Sequence, residues 1–289
     1  MKIIVKKVNS FTESISGGNP AGVVLDSPVL SDTQMKQVAK KLSVSESAFV
    51  YPSEVADYKL KFFSPLVEVD LCGHATIATF YTLASEGIFT RDTVVRQETK
   101  AGVLPVNIFF KDDGVVDRVM MTQRKPIYKN IYFDISKVAD SLSISADDID
   151  DTLPKQIVST GLFTLPICIK SFEILKDMKP DFVKIESLCK QIGVGSFHLY
   201  TFETIDSSST YHARNFCPLY GINEDPVTGT ANGAVCSYLF KNNIIKEEKM
   251  ICEQGDIIGR PGRVFVEVDT DNVRVGGRAK LAEEKEIEV

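Results

Sequence analysis

The chain has 289 residues, is 44% apolar and carries a formal net charge of -6. That length and apolar content fit one or two packed domains, and the acidic balance with dispersed Lys and Arg excludes the basic face a nucleic-acid partner would need. No apolar run approaches the roughly 20 residues that span a bilayer, and Ile3–Val5 is too short for a secretory signal. The six cysteines lack CxxC spacing and read as reduced thiols of a cytoplasmic protein.

In chain order, Lys2–Val8 alternates as a strand does. Gly17-Gly18-Asn19-Pro20 is a turn, because Gly and Asn tolerate positive φ and Pro fixes the exit. Ala21–Leu25 is a short buried strand. Ser31 caps a helix with the stripe Met35, Val38, Ala39 and Leu42. Ser47–Tyr51 and Tyr58–Phe63 read as strands. His74–Glu86 is a helix apolar on nearly every side, which predicts burial, and Gly87 stops it. Strands follow at Thr93–Gln97, Val103–Phe110 and Arg118–Gln123.

The second half begins near Pro126. Ser143–Ile149 has the pattern of an exposed helix start, and Val158–Ile169 is strand-rich. Asp181–Ile192 is a helix with Val183, Ile185, Leu188 and Ile192 on one side. His198–Thr204 and Tyr211–Phe216 are strands, and Thr230–Lys241 is a second buried helix closed by Asn242-Asn243. Gly259–Arg263 is a hairpin turn, Val264–Val268 and Val273–Gly276 are strands, and a charged tail runs from Ala279.

The two halves repeat one another. FFSPLVEVDLCGHATIATFYTLASEGI (Phe62–Ile88) matches NFCPLYGINEDPVTGTANGAVCSYLFKNNII (Asn215–Ile245): Phe-x-Pro, a Glu five residues before a Gly (Glu68 and Gly73, Glu224 and Gly229), then a four-turn helix. Gln37–Pro52 matches Ser187–Phe202, Gly18–Leu25 matches Thr160–Ile169, and Glu98–Val106 matches Glu253–Val266. Four blocks in one order imply two copies of a domain at a period too long for a solenoid. The expected boundaries are residues 1–123, with the tail 278–289 packing back on them, and residues 124–277.

NPAGVVL, SESAFVYP, VDLCGHATIA, RNFCPLYGINEDPVTGTA and EQGDIIGRPGRV together resemble the phenazine-biosynthesis PhzF-like isomerase family, from about residue 8 to residue 280. The resemblance implies the α+β fold of diaminopimelate epimerase. This has two pseudo-symmetric domains, each a curved strand barrel around a central helix, with the active site in the inter-domain cleft. It also implies a cofactor-independent, cytoplasmic homodimer.

By the same resemblance Glu46 is the catalytic acid/base, moving a proton from one substrate carbon to another. Such a base needs partial burial, for which Phe49 is the expected apolar neighbour. His74 touches the substrate near the reacting carbon. Asp225 is a second acid or an orienting partner, where the bare sequence reads only a turn cap before Pro226. Thr230 stands where the family often has Ser. The N–H groups of Gly73–Ala75 and of Gly229, Thr230 and Ala231 open two helices, where orphan donors suit a substrate carboxylate. Cys72 occupies the position of one catalytic thiol of diaminopimelate epimerase, but DPVTGTA supplies no second, so a two-thiol racemase is disfavoured and Cys72 reads as packed and inert. Three dispersed histidines give no metal-ligand spacing.

The expectation is an isomerase of a small carboxylate metabolite, with neither nucleic acid nor membrane as partner. The rivals are an amino-acid racemase or epimerase with unlike bases, and a non-catalytic small-molecule binding protein on the same scaffold.

Overall fold

A computed structural model describes every residue, Met1–Val289. The chain is a mixed α/β protein, mostly strands, with six α-helices. None of its helices is long and apolar enough to cross a membrane. It divides into two compact units, Met1–Thr122 with Gly276–Val289, and Gln123–Val275.

The first unit contains β1 (Lys2–Ser10), β2 (Asn19–Val24), α1 (Asp32–Leu42), β3 (Glu46–Tyr51), β4 (Tyr58–Phe63), β5 (Glu68–Val69), α2 (Gly73–Ser85), β6 (Thr93–Thr99), β7 (Gly102–Phe110) and β8 (Val116–Thr122). A capping box of Ser31 and Gln34 starts α1, and Ser43 in the left-handed region ends it. This crossover joins two parallel strands, β2 and β3. The buried stripe of α1 packs with Val5, Val24, Phe49 and Phe63.

Helix α2 is buried along almost its whole length, against β1, β2, β3, β7 and β8. Its threonines would be costly there if unpaired. Thr76, Thr79 and Thr82 instead donate their hydroxyls to the carbonyls of Cys72, Ala75 and Ala78, four residues back. Gly87 follows in the left-handed region with φ 81°.

The second unit contains β9 (Ile127–Asn130), α3 (Ile135–Leu142), β10 (Gln156–Ser159), β11 (Phe163–Cys168), α4 (Phe172–Asp177), α5 (Phe182–Ile192), β12 (Ser196–Thr201), β13 (Tyr211–Cys217), β14 (Ile222–Asp225), α6 (Gly229–Lys241), β15 (Lys249–Gln254), β16 (Gly262–Val268) and most of β17 (Val273–Gly277). Its pairings repeat those of the first unit. Parallel β11 and β12 flank α5 as β2 and β3 flank α1. Antiparallel β12–β13 and β13–β14 mirror β3–β4 and β4–β5. Parallel β13–β15 mirrors β4–β6. Its core gathers Val138, Leu142, Leu165, Ile185, Phe197 and Phe216.

One sequence expectation needs correction. Ser143–Ile149 does not start an exposed helix. Ser143 is the left-handed C-cap of α3, and only one 3-10 turn follows, Ala146–Asp148, capped by Ser145. The charged segment after Ala279 is a strand, β18 (Ala279–Glu288), paired antiparallel with β1. Its acids meet cations across the ladder, Lys2 with Glu286 and Lys6 with Glu284.

Candidate active site

In the first unit, Glu46 opens β3 directly after the α1 turn, opposite Ala21 of β2. His74 lies in the first turn of α2, one residue after Gly73. The fold brings these two side chains together, with Glu46 Oε2 3.4 Å from His74 Nε2 and both mostly shielded from water. Ser45 Oγ also lies 3.4 Å from Nε2, and Cys72 Sγ lies 3.4 Å from Nδ1. The main chain is fixed too, since Ser10 Oγ donates to the His74 carbonyl at 2.7 Å.

Ser45 Oγ at Nε2 and the Cys72 thiol at Nδ1 are the ring's hydrogen-bond partners, and the Glu46 carboxylate stands against Nε2 at ion-pair distance. Cys72 is therefore packed, as its burial to 7% exposure shows, but it touches the imidazole directly. The sequence reading as an inert thiol missed this contact. The signal was its place two residues before His74, across a helix start.

The shielding of Glu46 differs from expectation. Side chains alternate along a strand, so Glu46 and Phe49 point to opposite faces of β3. Phe49 packs under α1, edge-on to Phe63 at 6.1 Å. The side chain set directly against Glu46 is His74.

The N-cap of α2 is Cys72, whose side chain makes no capping hydrogen bond. Thr76 N–H is the donor that reaches the Cys72 carbonyl. The N–H groups of Gly73, His74 and Ala75 precede it and have no acceptor within the helix.

In the second unit, Asp225 ends β14 opposite Asn215 of β13, and α6 starts at Gly229 with Thr230 and Ala231 in its first turn. Thr228, the N-cap, turns its hydroxyl to Asp225 Oδ2 at 2.5 Å rather than capping the helix. The first N–H groups of α6 are again free of a side-chain cap. Thr230 is held through its carbonyl, which accepts from Thr160 Oγ1 at 3.1 Å.

Gln254, at the end of β15 and 1% exposed, clamps this turn. Its Oε1 accepts from Thr228 N at 3.0 Å and Asn232 Nδ2 at 2.8 Å. Its Nε2 donates to the Asp225 carbonyl at 2.8 Å and to Thr228 Oγ1 at 3.2 Å. Every polar position of the carboxamide is satisfied. Sequence reading did not single out Gln254, because a glutamine 29 residues from Asp225 carries no local signal.

Behind the clamp lies His198 of β12, fully buried between Asn215 Oδ1 at 3.1 Å and Asn232 Oδ1 at 3.3 Å. Burial pushes its pKa down from 6.5 to about 4, against the raising effect of both amides. The neutral ring has one N–H. Asn232 is oriented by donating to Thr228 O and Gln254 while accepting from Tyr211 Oη, so it accepts from Nε2. Asn215 Oδ1 faces the other ring nitrogen, Nδ1.

The two repeated glutamates are ion-pair residues. Glu68 meets Lys100, and Glu224 holds Arg214 through two bonds of 2.9 and 2.8 Å.

The sequence profile described as "Phenazine biosynthesis-like protein" matches residues 8–285. The chain is 37% identical over 278 residues to "Uncharacterized isomerase YfhB" of Bacillus subtilis, covering 96% of this chain and 93% of that protein. A PhzF-family phenazine biosynthesis protein of Bacillus anthracis superposes with a TM-score of 0.92 at 34% identity, over the full length of both chains. A hydroxyproline epimerase of Agrobacterium vitis shares the fold alone, with a TM-score of 0.63 at 13% identity over 99% of this chain and 91% of that one. The chain therefore belongs to the PhzC-PhzF phenazine biosynthesis-like family and is, like its named relatives, an isomerase.

Proposed function

We propose that the protein moves a proton on a small carboxylate-bearing metabolite without a cofactor, with Glu46 as the acid/base. The observation that carries this reading is the Glu46–His74 contact, in which a shielded carboxylate stands 3.4 Å from an imidazole at a helix start. Glu46 takes a proton from carbon, the electron pair shifts along the substrate's conjugated system, and Glu46 returns the proton to a different carbon. The step is redox-neutral. His74 keeps the carboxylate aimed and hydrogen-bonds substrate near the reacting carbon. Asp225, held by Thr228 and Gln254, serves as the second acid or orienting group. The free N–H groups opening α2 and α6 suit the substrate's carboxylate. The matching order of pairings supports a further reading, that each unit is a strand barrel around its buried helix.

The test is deuterium exchange in heavy water, followed by NMR, over a panel of small unsaturated and amino carboxylates. The wild type is expected to label one substrate, and Glu46→Gln to lose exchange by about 10²–10⁴-fold while still binding. The labelled carbon separates isomerisation from racemisation, and a Glu46→Gln variant with undiminished exchange sinks the assignment of the base. Binding without exchange across the panel favours the non-catalytic rival.

A further inference from the structure

Glu46, Cys72 and His74 are scattered in sequence, yet each offers a ligand atom within 4.8 Å of the other two. Around a tetrahedral zinc ion, bonds of about 2.0–2.3 Å place N, O and S ligands about 3.3–3.6 Å apart. His74 Nε2 lies 3.4 Å from Glu46 Oε2 and 3.8 Å from Cys72 Sγ, near the spacing one ion imposes, and Glu46 and Cys72 lie within 4.8 Å of each other, so the two side chains draw inward around His74 to close on one ion. Ser45 Oγ, 3.4 Å from Nε2, lines the same space. The helices and strands that hold these side chains make the arrangement preorganised, and the partial exposure of Glu46 and His74, 18% and 13%, leaves an entry path.

We propose that Glu46, Cys72 and His74 form an inhibitory site for a zinc-like divalent ion. A thiolate, an imidazole and a carboxylate are the donor set of zinc rather than of calcium or magnesium, which take oxygen ligands. Thiolate and carboxylate together neutralise the ion's two charges. On binding, the thiol proton leaves to solvent as the metal–sulfur bond forms. With its proton on Nδ1, the neutral imidazole gives the Nε2 lone pair to the metal. Glu46 then spends its lone pair on the ion and no longer serves as a base. The inhibitory half rests on the proposed role of Glu46, whereas the binding half stands without it.

The experiment is titration of the full-length, metal-stripped, reduced protein with Zn²⁺ alone, by calorimetry, with Co²⁺ as the spectroscopic probe. One ion per chain and a thiolate-to-cobalt charge-transfer band are expected. Cys72→Ser is expected to weaken binding about 100-fold or more and abolish the band, since loss of a direct ligand should exceed the 10–100-fold typical of an outer-shell partner. His74→Ala provides a second variant should Cys72→Ser misfold, with circular dichroism as the check on both. The other close thiols, Cys236 and Cys252 with Sγ atoms 3.4 Å apart in the second unit, are controlled by Cys252→Ser, which is expected to bind as wild type does. Full affinity in Cys72→Ser, loss of affinity in Cys252→Ser, or equal affinity for Ca²⁺ overturns the site. Zinc binding at these residues without turnover of any substrate leaves the site standing and removes the proton-transfer reading. Turnover that persists with the site saturated removes the inhibitory claim.

Discussion

Gly22 and Ser47 face each other across β2 and β3, each next to a member of the pair Ala21 and Glu46. A Cβ built on Gly22 would stand 2.3 Å from Ser47 Oγ and 3.0 Å from Ser47 Cβ, closer than atoms pack. Gly22→Ala must therefore push β2 and β3 apart at the position that aims Glu46. The expected loss is about 1–3 kcal/mol of stability, typical of overpacking, with a drop in Glu46-dependent exchange. Chemical denaturation and the heavy-water assay measure both, and Gly22→Ala/Ser47→Gly should recover most of the loss. A Gly22→Ala protein as stable as wild type would show that the strands are not in tight contact there. In the sequence, GNPAGVVL announced a turn and a strand, but the reason for the second glycine lay in a partner 25 residues away. The error over Phe49 was of another kind. The two-residue period of a strand puts Glu46 and Phe49 on opposite faces, so that correction was already present in the sequence.

At the scale of elements, β12, β13, β15 and α6 meet around buried polar groups whose protonation ties stability to pH. His198 has a folded pKa of about 4 against an ordinary 6.5. The unfolded chain therefore takes the proton first, so the stabilisation is complete above about pH 6.5 and is lost as pH falls through about 4. The full shift is worth about 3 kcal/mol. Glu253 adds a second loss at lower pH. Burial pushes its pKa up, but hydrogen bonds from His212 and from the Ile205 and Asp206 amides, with the charge of Arg263, outweigh this and hold it at about 2 against 4.5. Its contribution is present above about pH 4.5 and lost as pH falls toward about 2. Denaturation of wild type between pH 7 and pH 4 is expected to show the His198 loss, and His198→Gln to show a flatter slope from a lower starting stability. Parallel slopes for the two proteins would show that His198 is not held neutral. The buried helix at the centre of this arrangement, α6, was legible from its all-round apolar sequence. The polar groups beneath it were not, because His198, Asn215, Asn232 and Gln254 converge only once four elements have packed.

For the whole molecule, the consequential feature is that the two units are built from the chain differently. Gln123–Val275 is one continuous stretch, whereas the first unit needs both ends of the chain. Strand β18 pairs along all of β1, from Lys2 opposite Glu288 to Ser10 opposite Ala279, with a bulge between Lys7 and Val8. Alternate residues of a strand share a face, so a segment dominated by Glu and Lys can still seat apolar anchors. Ile287, 3% exposed, is one of them and joins Ile3, Val5, Val24 and Met35 in the core beneath α1. Because an exposed ion pair such as Lys2–Glu286 contributes little, the hold of β18 on β1 should depend on this side chain far more than on that pair. Ile287→Ala is expected to lose about 2–5 kcal/mol, whereas Glu286→Gln should lose under about 1 kcal/mol. Amide hydrogen exchange locates the effect: faster exchange is expected in β1, β2 and α1, with β12, β13 and α6 unchanged, because the second unit has a core of its own. Equal acceleration in both sets would show that the chain opens as one cooperative body, and that the continuous unit gains nothing from its continuity.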